Sequence, residues 1–223
     1  MSRSPLPPRI REAPSPAEGG GHSRTIDAQH QFTATIDAIL GAGARWVWFR
    51  ERDMDVASRR SLAIAVMARI HAKGGTFSLG GDADLAAEIG ADGVHLPGGT
   101  TADAIRRARD LLPNGLVGVS AHTLGEVETA AKAGGDYATL SPIFATASKP
   151  GYGPALGTEA LRAASAFGIS VIALGGITSG NTGACRDAGA AGIAVMGGLM
   201  RSPEPARAAA AFLAAWSQRP EGP

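Results

Sequence analysis

One cysteine, Cys185, stands in a chain of 223 residues, so no disulfide can close within it. That excludes the cystine-stapled scaffolds of small secreted proteins. No apolar run reaches the roughly 18–20 residues that span a bilayer, which excludes an integral helical membrane protein. Also missing is an excess of either charge: 21 Lys and Arg against 20 Asp and Glu leave a formal +1. Such a balance gives no footprint for nucleic acid or an anionic membrane surface. The opening MSRSPLPPRIREAPSPAEGGG lacks the apolar core of a signal peptide, and the expected compartment is the cytoplasm. What remains is an ordinary apolar content of 44% in a glycine-rich chain with 31 Gly.

Five prolines fall between Pro5 and Pro16, followed by Gly19-Gly20-Gly21. Residues 1–24 are therefore expected to be mostly irregular, a solvated tail rather than a binding arm. Beyond them, helical and apolar segments alternate. Helical patterns are expected at Ile26–Leu40, Val56–Ala72, Ala83–Ile89, Thr101–Leu112, Leu124–Ala133, Glu159–Phe167 and Pro203–Trp216. Short apolar strands are expected at Trp46–Phe49, Thr76–Leu79, Gly93–Leu96, Leu116–Ser120, Asp136–Leu140, Ser170–Leu174 and Ile193–Met196. Strands that are apolar throughout belong to a parallel sheet covered by helices. The turns Gly90-Ala91-Asp92-Gly93, Gly134-Gly135-Asp136 and Gly189-Ala190-Ala191-Gly192 read as helix C-caps feeding straight into strands. Seven strands exceed what a flavodoxin-like open sheet usually holds, so the expected fold is a single (β/α)8 TIM barrel over 25–223. Its first strand would be degenerate, because only Arg9-Ile10-Arg11-Glu12-Ala13 is available for it.

In such a barrel the chemistry lies just past the strands' C-terminal ends. Those positions hold Arg50-Glu51-Arg52, Gly80-Gly81-Asp82, His95 with Pro97-Gly98-Gly99-Thr100, Ser120-Ala121-His122, Ser141 to Lys149, Gly175-Gly176-Ile177, and Gly197-Gly198. The ring is basic, glycine-rich and hydroxyl-rich, which suits an anion. Gly175, Gly176, Ile177, Gly197 and Gly198 are the candidate phosphate loops, since bare glycines admit a phosphate close to backbone N–H groups. Arg50 and Arg52 share side-chain parity, so both can face one ligand, and guanidinium matches phosphate oxygens in bidentate fashion. The competing readings are plain turn glycines and arginines spent on neighbouring loops.

Taken in order, Val47-Trp48-Phe49-Arg50-Glu51-Arg52, Gly90-Ala91-Asp92-Gly93-Val94-His95-Leu96, Gly118-Val119-Ser120-Ala121-His122-Thr123, Asp136-Tyr137, Ser141-Pro142-Ile143-Phe144-Ala145-Thr146 with Lys149, and Ala173-Leu174-Gly175-Gly176-Ile177 with Asn181 resemble the thiamine phosphate synthase and thiazole tautomerase (TenI-type) superfamily. The resemblance runs from about Ile36 to about Met200. It implies a transferase that joins hydroxymethylpyrimidine diphosphate to thiazole phosphate and releases pyrophosphate. By the same likeness Arg50, Ser120, Thr146 and Lys149 would contact the diphosphate, and Arg52 stands where a lysine is usual. His95 is placed with the substrate-binding residues. His122 is the nearest imidazole for proton transfer. Lys149 lies in a glycine- and proline-flanked loop suited to closing over the substrate.

The chain departs from that pattern where a metal would bind. Asn-Asp after one strand is replaced by Gly80-Gly81, Gly-Gln-x-Asp after the next by Pro97-Gly98-Gly99-Thr100, and a strand glutamine by Trp48. Mg²⁺ prefers carboxylate oxygens. No resident metal is therefore expected, and Mg²⁺ enters only with a diphosphate substrate. The same departures resemble the tautomerase branch, whose proton-moving histidine is Pro142 here. Three activities stay open: transferase, thiazole carboxylate phosphate tautomerase, and a silent binder of thiazole phosphate. The partners expected are small phosphorylated heterocycles, without nucleic acid or membrane. The sequence is also compatible with a homo-oligomer.

Overall fold

The computed structural model describes residues 21–51, 53–146 and 154–218, with side chains from residue 30 onward. Seven strands form one sheet: β1 (Trp46–Phe49), β2 (Thr76–Gly80), β3 (Gly93–Leu96), β4 (Leu116–Ala121), β5 (Tyr137–Leu140), β6 (Ser170–Leu174) and β7 (Gly192–Ala194). They lie in sequence order and every neighbouring pair is parallel. Parallel neighbours require a crossover, supplied here by α2 (Val56–His71), α3 (Ala83–Glu88), α4 (Ala102–Leu111), α5 (Leu124–Lys132), α6 (Gly157–Ser165) and α7 (Thr182–Asp187). Before β1 comes α1 (Gly21–Gly41); after β7 come α8 (Gly197–Met200) and α9 (Pro205–Ser217). The result is a (β/α) barrel of TIM type, curled from β1 to β7. The weak strand expected at 9–13 lies outside the described residues.

Each strand sorts its residues by parity. Val47, Phe49, Phe77, Leu79, Val94, Val117, Val119, Ala138 and Leu140 are buried in the hydrophobic core. Phe49 and Phe77 pack with centroids 6.0 Å apart, and Val66 and Ile70 of α2 are fully buried in the same cluster. The alternate positions turn polar: Ser78, His95, Ser120, Tyr137 and Thr139 point to one another inside the sheet's curve.

Local signals set the element ends. Asp55, Asp82, Thr101 and Thr123 each cap a helix by accepting a backbone N–H, and Thr123 with Glu126 completes a capping box. Gly90, Gly134 and Gly189 take positive φ where helices stop, as their turns implied. The aspartates of two of these turns reach back to the preceding strand: Asp92 Oδ2 accepts from Phe77 N at 2.7 Å, and Asp136 Oδ2 from Val117 N at 2.6 Å. The Gly-Ala-Asp and Gly-Gly-Asp turns thus also pin strand register.

Helix α1 begins at Gly21, earlier than the irregular segment over 1–24 implied. Once the packed turns around Ile36, Ile39 and Leu40 exist, each added turn needs no new nucleation, so the helix runs back over polar residues. The last strand stops at Ala194, because the chain turns at Met196 into α8. Among the described residues, no helix is long and apolar enough to cross a membrane.

Candidate active site at the barrel mouth

Arg50 follows β1 directly and is exposed at the mouth. Its charge is close enough to depress the pKa of His95, adding to the larger effect of burial. Ser120 sits near the end of β4, half-buried, with His122 two residues beyond. Thr146 closes the described part of the loop after β5 and is half-buried. Arg52 and Lys149, both expected here, lie outside the described residues.

His95 does not stand open at the mouth as a substrate contact. It is 1% exposed, on β3 inside the lumen. Its Nε2 is 2.9 Å from Ser120 Oγ and 3.4 Å from Thr139 Oγ1, while its Nδ1 is 2.9 Å from the Tyr137 hydroxyl. Burial, with Arg50 second, pushes its pKa down to about 3, so the ring is neutral at any ordinary pH. Whatever His95 contributes passes through Ser120. Thr139 and Ser78 were not singled out from sequence, and Tyr137 entered only within the Asp136-Tyr137 segment of the resemblance, with no role. Polar residues at alternating positions of apolar strands were the signal that could have found them.

Trp48 caps this network. Its ring lies over His95 with centroids 3.8 Å apart, and its Nε1 is buried without a hydrogen-bond partner. A Cβ on Gly80 would come within 2.8 Å of that nitrogen. The indole therefore fills the space that any larger residue at position 80 would need.

His122 is held firmly. Its Nδ1 is 2.8 Å from the Ser141 carbonyl oxygen, which makes Nδ1 the protonated nitrogen. Its ring also rests on Gly98, where a Cβ would lie 3.0 Å from Cδ2. The Glu126 carboxylate accepts the backbone N–H groups of His122, Thr123 and Gly99. Burial alone would raise the Glu126 pKa, but those donors together outweigh it and lower it. Glu126 thereby ties the loop after β3 to the end of β4.

The glycine loops have structural demands of their own. Gly175 and Gly176 take φ of +90° and +65°. A Cβ on Gly176 would lie 2.5 Å from the Ala145 carbonyl oxygen, and one on Gly175 2.8 Å from Pro142 Cα. Ile143 N and Phe144 N donate to Leu174 O and Gly175 O, and Asn181 Nδ2 donates to Gly176 O at 3.0 Å. Gly175, Gly176 and the buried Ile177 thus seat the loop after β5 against β6. Gly197 and Gly198 open α8, and the Arg201 guanidinium lies against Gly197, where a Cβ would overlap it. Arg201 was missed from sequence; an arginine one turn beyond a Gly-Gly was its signal.

Among the described residues, the carboxylates past the strand ends do not assemble a divalent-metal site. Asp82 spends Oδ1 on capping α3 and Oδ2 on Arg59 at 3.3 Å. Asp84 pairs with Arg107 on the outer surface, which lowers its pKa through that hydrogen bond. Among the described residues no three His, Cys, Asp or Glu side chains gather as ligands.

The fold and the ring of residues at its mouth define a TIM-type barrel whose chemistry lies at the strands' C-terminal ends. The solved structure of thiamine phosphate pyrophosphorylase from Pyrococcus furiosus matches it with a TM-score of 0.74 at 24% identity, over 82% of this chain and 88% of that one. The thiamine-phosphate synthase of Chromobacterium violaceum is 34% identical over 212 residues, 95% of this chain and 98% of that protein. That of Geobacillus thermodenitrificans is 36% identical over 185 residues, 81% of this chain and 83% of that protein. The bifunctional ThiM/ThiE protein of Symbiobacterium thermophilum is 35% identical over 180 residues, and the chain spans 37% of its length. A family model described as thiamine monophosphate synthase matches residues 22–199. The chain belongs to the thiamine monophosphate synthase family.

Proposed function

We propose that this protein joins a pyrimidine diphosphate to a thiazole phosphate and releases pyrophosphate. The observation that carries this reading is the near end-to-end match to a protein named thiamine-phosphate synthase, 95% of one chain against 98% of the other. The small phosphorylated heterocycles are the partners, and the cytoplasm is the compartment.

The difficult event is cleavage of the C–O bond between the pyrimidine methylene and the diphosphate. The electron pair leaves with the diphosphate, and the methylene then takes the thiazole partner. Stabilising the departing charge is the main task of the protein. Arg50 at the mouth serves it electrostatically, with Ser120 and Thr146 as hydrogen-bond donors. Arg52 and Lys149 are assigned the same role from sequence. The Gly175–Ile177 and Gly197–Gly198 loops are assigned to the thiazole phosphate, with Arg201 beside them. No resident metal takes part in this reading, and Mg²⁺ arrives only with the diphosphate.

The tautomerase reading has less support, since Pro142 supplies no imidazole at the matching position. One assay separates the readings. Purified protein is given both substrates, with and without Mg²⁺, and pyrophosphate release is measured alongside the thiazole ultraviolet spectrum. Release of pyrophosphate with thiamine phosphate formed supports the synthase. A spectral shift of thiazole carboxylate phosphate without release would replace it with the tautomerase, and neither signal would leave a binder.

A further inference from the structure

Inside the barrel Tyr137, His95 and Ser120 form a connected line. Beside it, Trp46 Nε1 donates to Ser78 Oγ at 2.9 Å. The Tyr137 hydroxyl is 2.9 Å from His95 Nδ1, and His95 Nε2 is 2.9 Å from Ser120 Oγ. The interior members are sealed from water: Ser78 is 0%, His95 1%, Thr139 3% and Tyr137 5% exposed. The open end of the line is the half-buried Ser120 on the upper side.

The direction of the hydrogens along this line follows from counting them. The Tyr137 hydroxyl is buried, and its hydrogen-bond partner is His95 Nδ1; a phenol that did not donate there would leave its hydrogen without an acceptor. Tyr137 therefore donates to His95 Nδ1. A neutral ring that accepts at Nδ1 carries its hydrogen on Nε2, which is aimed at Ser120 Oγ, with Thr139 Oγ1 as a more distant second acceptor. Ser120 therefore receives a hydrogen from below and turns its own hydrogen upward.

We propose that Tyr137 and His95 are a one-way donor chain that makes the Ser120 hydroxyl a committed donor to an anionic oxygen at the mouth. Run the other way, the chain would present a lone pair there and repel a phosphate oxygen. His95 and Tyr137 are positioning residues: neither touches the ligand, and both act through Ser120. The chemical class of the ligand atom, a phosphate or diphosphate oxygen, rests on the proposed function; the direction of the chain does not.

The direction is read from the His95 tautomer by long-range ¹H–¹⁵N spectra of the full chain, with His95→Gln assigning the signal. Binding of inorganic pyrophosphate is measured in parallel by calorimetry. The wild type is expected to show hydrogen on Nε2. Tyr137→Phe removes the donor that fixes the tautomer, so Ser120 is no longer held as a committed donor and pyrophosphate affinity is expected to fall about tenfold. His95→Gln, whose side-chain amide donates at the same place, should retain more affinity than His95→Leu. Hydrogen on Nδ1 in the folded wild type overturns the proposal, as does a Tyr137→Phe variant unchanged in both tautomer and affinity. If the Nε2 tautomer is found and the wild type ignores pyrophosphate, the chain stands and the diphosphate reading of the mouth falls.

Discussion

Gly118 of β4 and Tyr137 of β5 face each other in register, and the phenol ring lies where a Gly118 side chain would be. A Cβ there would overlap Cζ, Cε1 and the hydroxyl oxygen of Tyr137. Gly118 needs no special φ; it is required for space alone. That space is what lets Tyr137 cross the lumen to His95.

Gly118→Ala is accordingly expected to be costly although it adds one methyl group. Overfilling a packed core costs about 1–3 kcal/mol, and in a chain of this size each kcal/mol lowers Tm by about 2–4 °C. Thermal unfolding followed by circular dichroism tests this. An unchanged Tm would mean that the ring moves aside freely, contrary to its packing between Trp46, at 4.7 Å, and His95, at 5.4 Å.

A second expectation concerns acid. The folded pKa of His95 is pushed down to about 3, below the value near 6.5 of an unfolded chain. Between those values the unfolded state binds the extra proton, so this contribution to stability is complete above pH 6.5 and is lost as pH falls towards 3. From pH 6.5 to 5 the loss is about 2 kcal/mol for one such group. Carboxylates contribute little in that window. Urea unfolding at both pH values should therefore show a steep loss for the wild type and a much shallower one for His95→Gln. Equal slopes would place His95 in water.

Most of the fold was legible in the sequence because its signals are local. Apolar strands of four or five residues, helices closed by glycine, and capping residues such as Thr123 with Glu126 each act within a few positions. The order of the sheet followed, since parallel strands joined by helices leave few alternatives. The site was legible only at its rim. Arg50, Ser120 and His122 follow strands and could be placed by counting. His95 sat in the same count, yet only three dimensions show it sealed under Trp48. Ser78 and Thr139 escaped, and Tyr137 was given no role, because lone polar residues in apolar strands look like interruptions until register lines them up.

The Trp48–Gly80 contact gives a third expectation. A Cβ at position 80 would lie 2.8 Å from Trp48 Nε1 and 3.0 Å from the Phe49 carbonyl oxygen. Gly80→Asn should therefore displace the indole from His95 and destabilise the protein. Trp48→Gln removes the indole and opens room for the amide, so the double variant should recover part of the loss. Residues in contact commonly couple by about 0.5–3 kcal/mol, and a double-mutant cycle in urea measures the coupling. Additive losses would show that the two positions are independent.

In the proposed reading no resident metal meets the leaving group's charge, and the task falls to positive side chains. Asp82 is engaged by Arg59, and Asp84 lies on the outer surface with Arg107. Removing one preorganised electrostatic contact to a developing anion commonly costs about 10²–10³ in rate. Arg50→Ala should lower kcat by that amount while the protein stays folded, because Arg50 is exposed and its side chain supports no core packing. His122→Ala should cost less in the transferase assay, since its Nδ1 is held by the Ser141 carbonyl and the ring supports the loop geometry rather than the charge. In a proton-transfer reaction the order would reverse, with His122→Ala the more damaging. Steady-state rates of the two variants, read as pyrophosphate release and as the change in the thiazole ultraviolet spectrum, decide between these outcomes. A transferase rate indifferent to Arg50 would remove electrostatic stabilisation at the mouth from the mechanism.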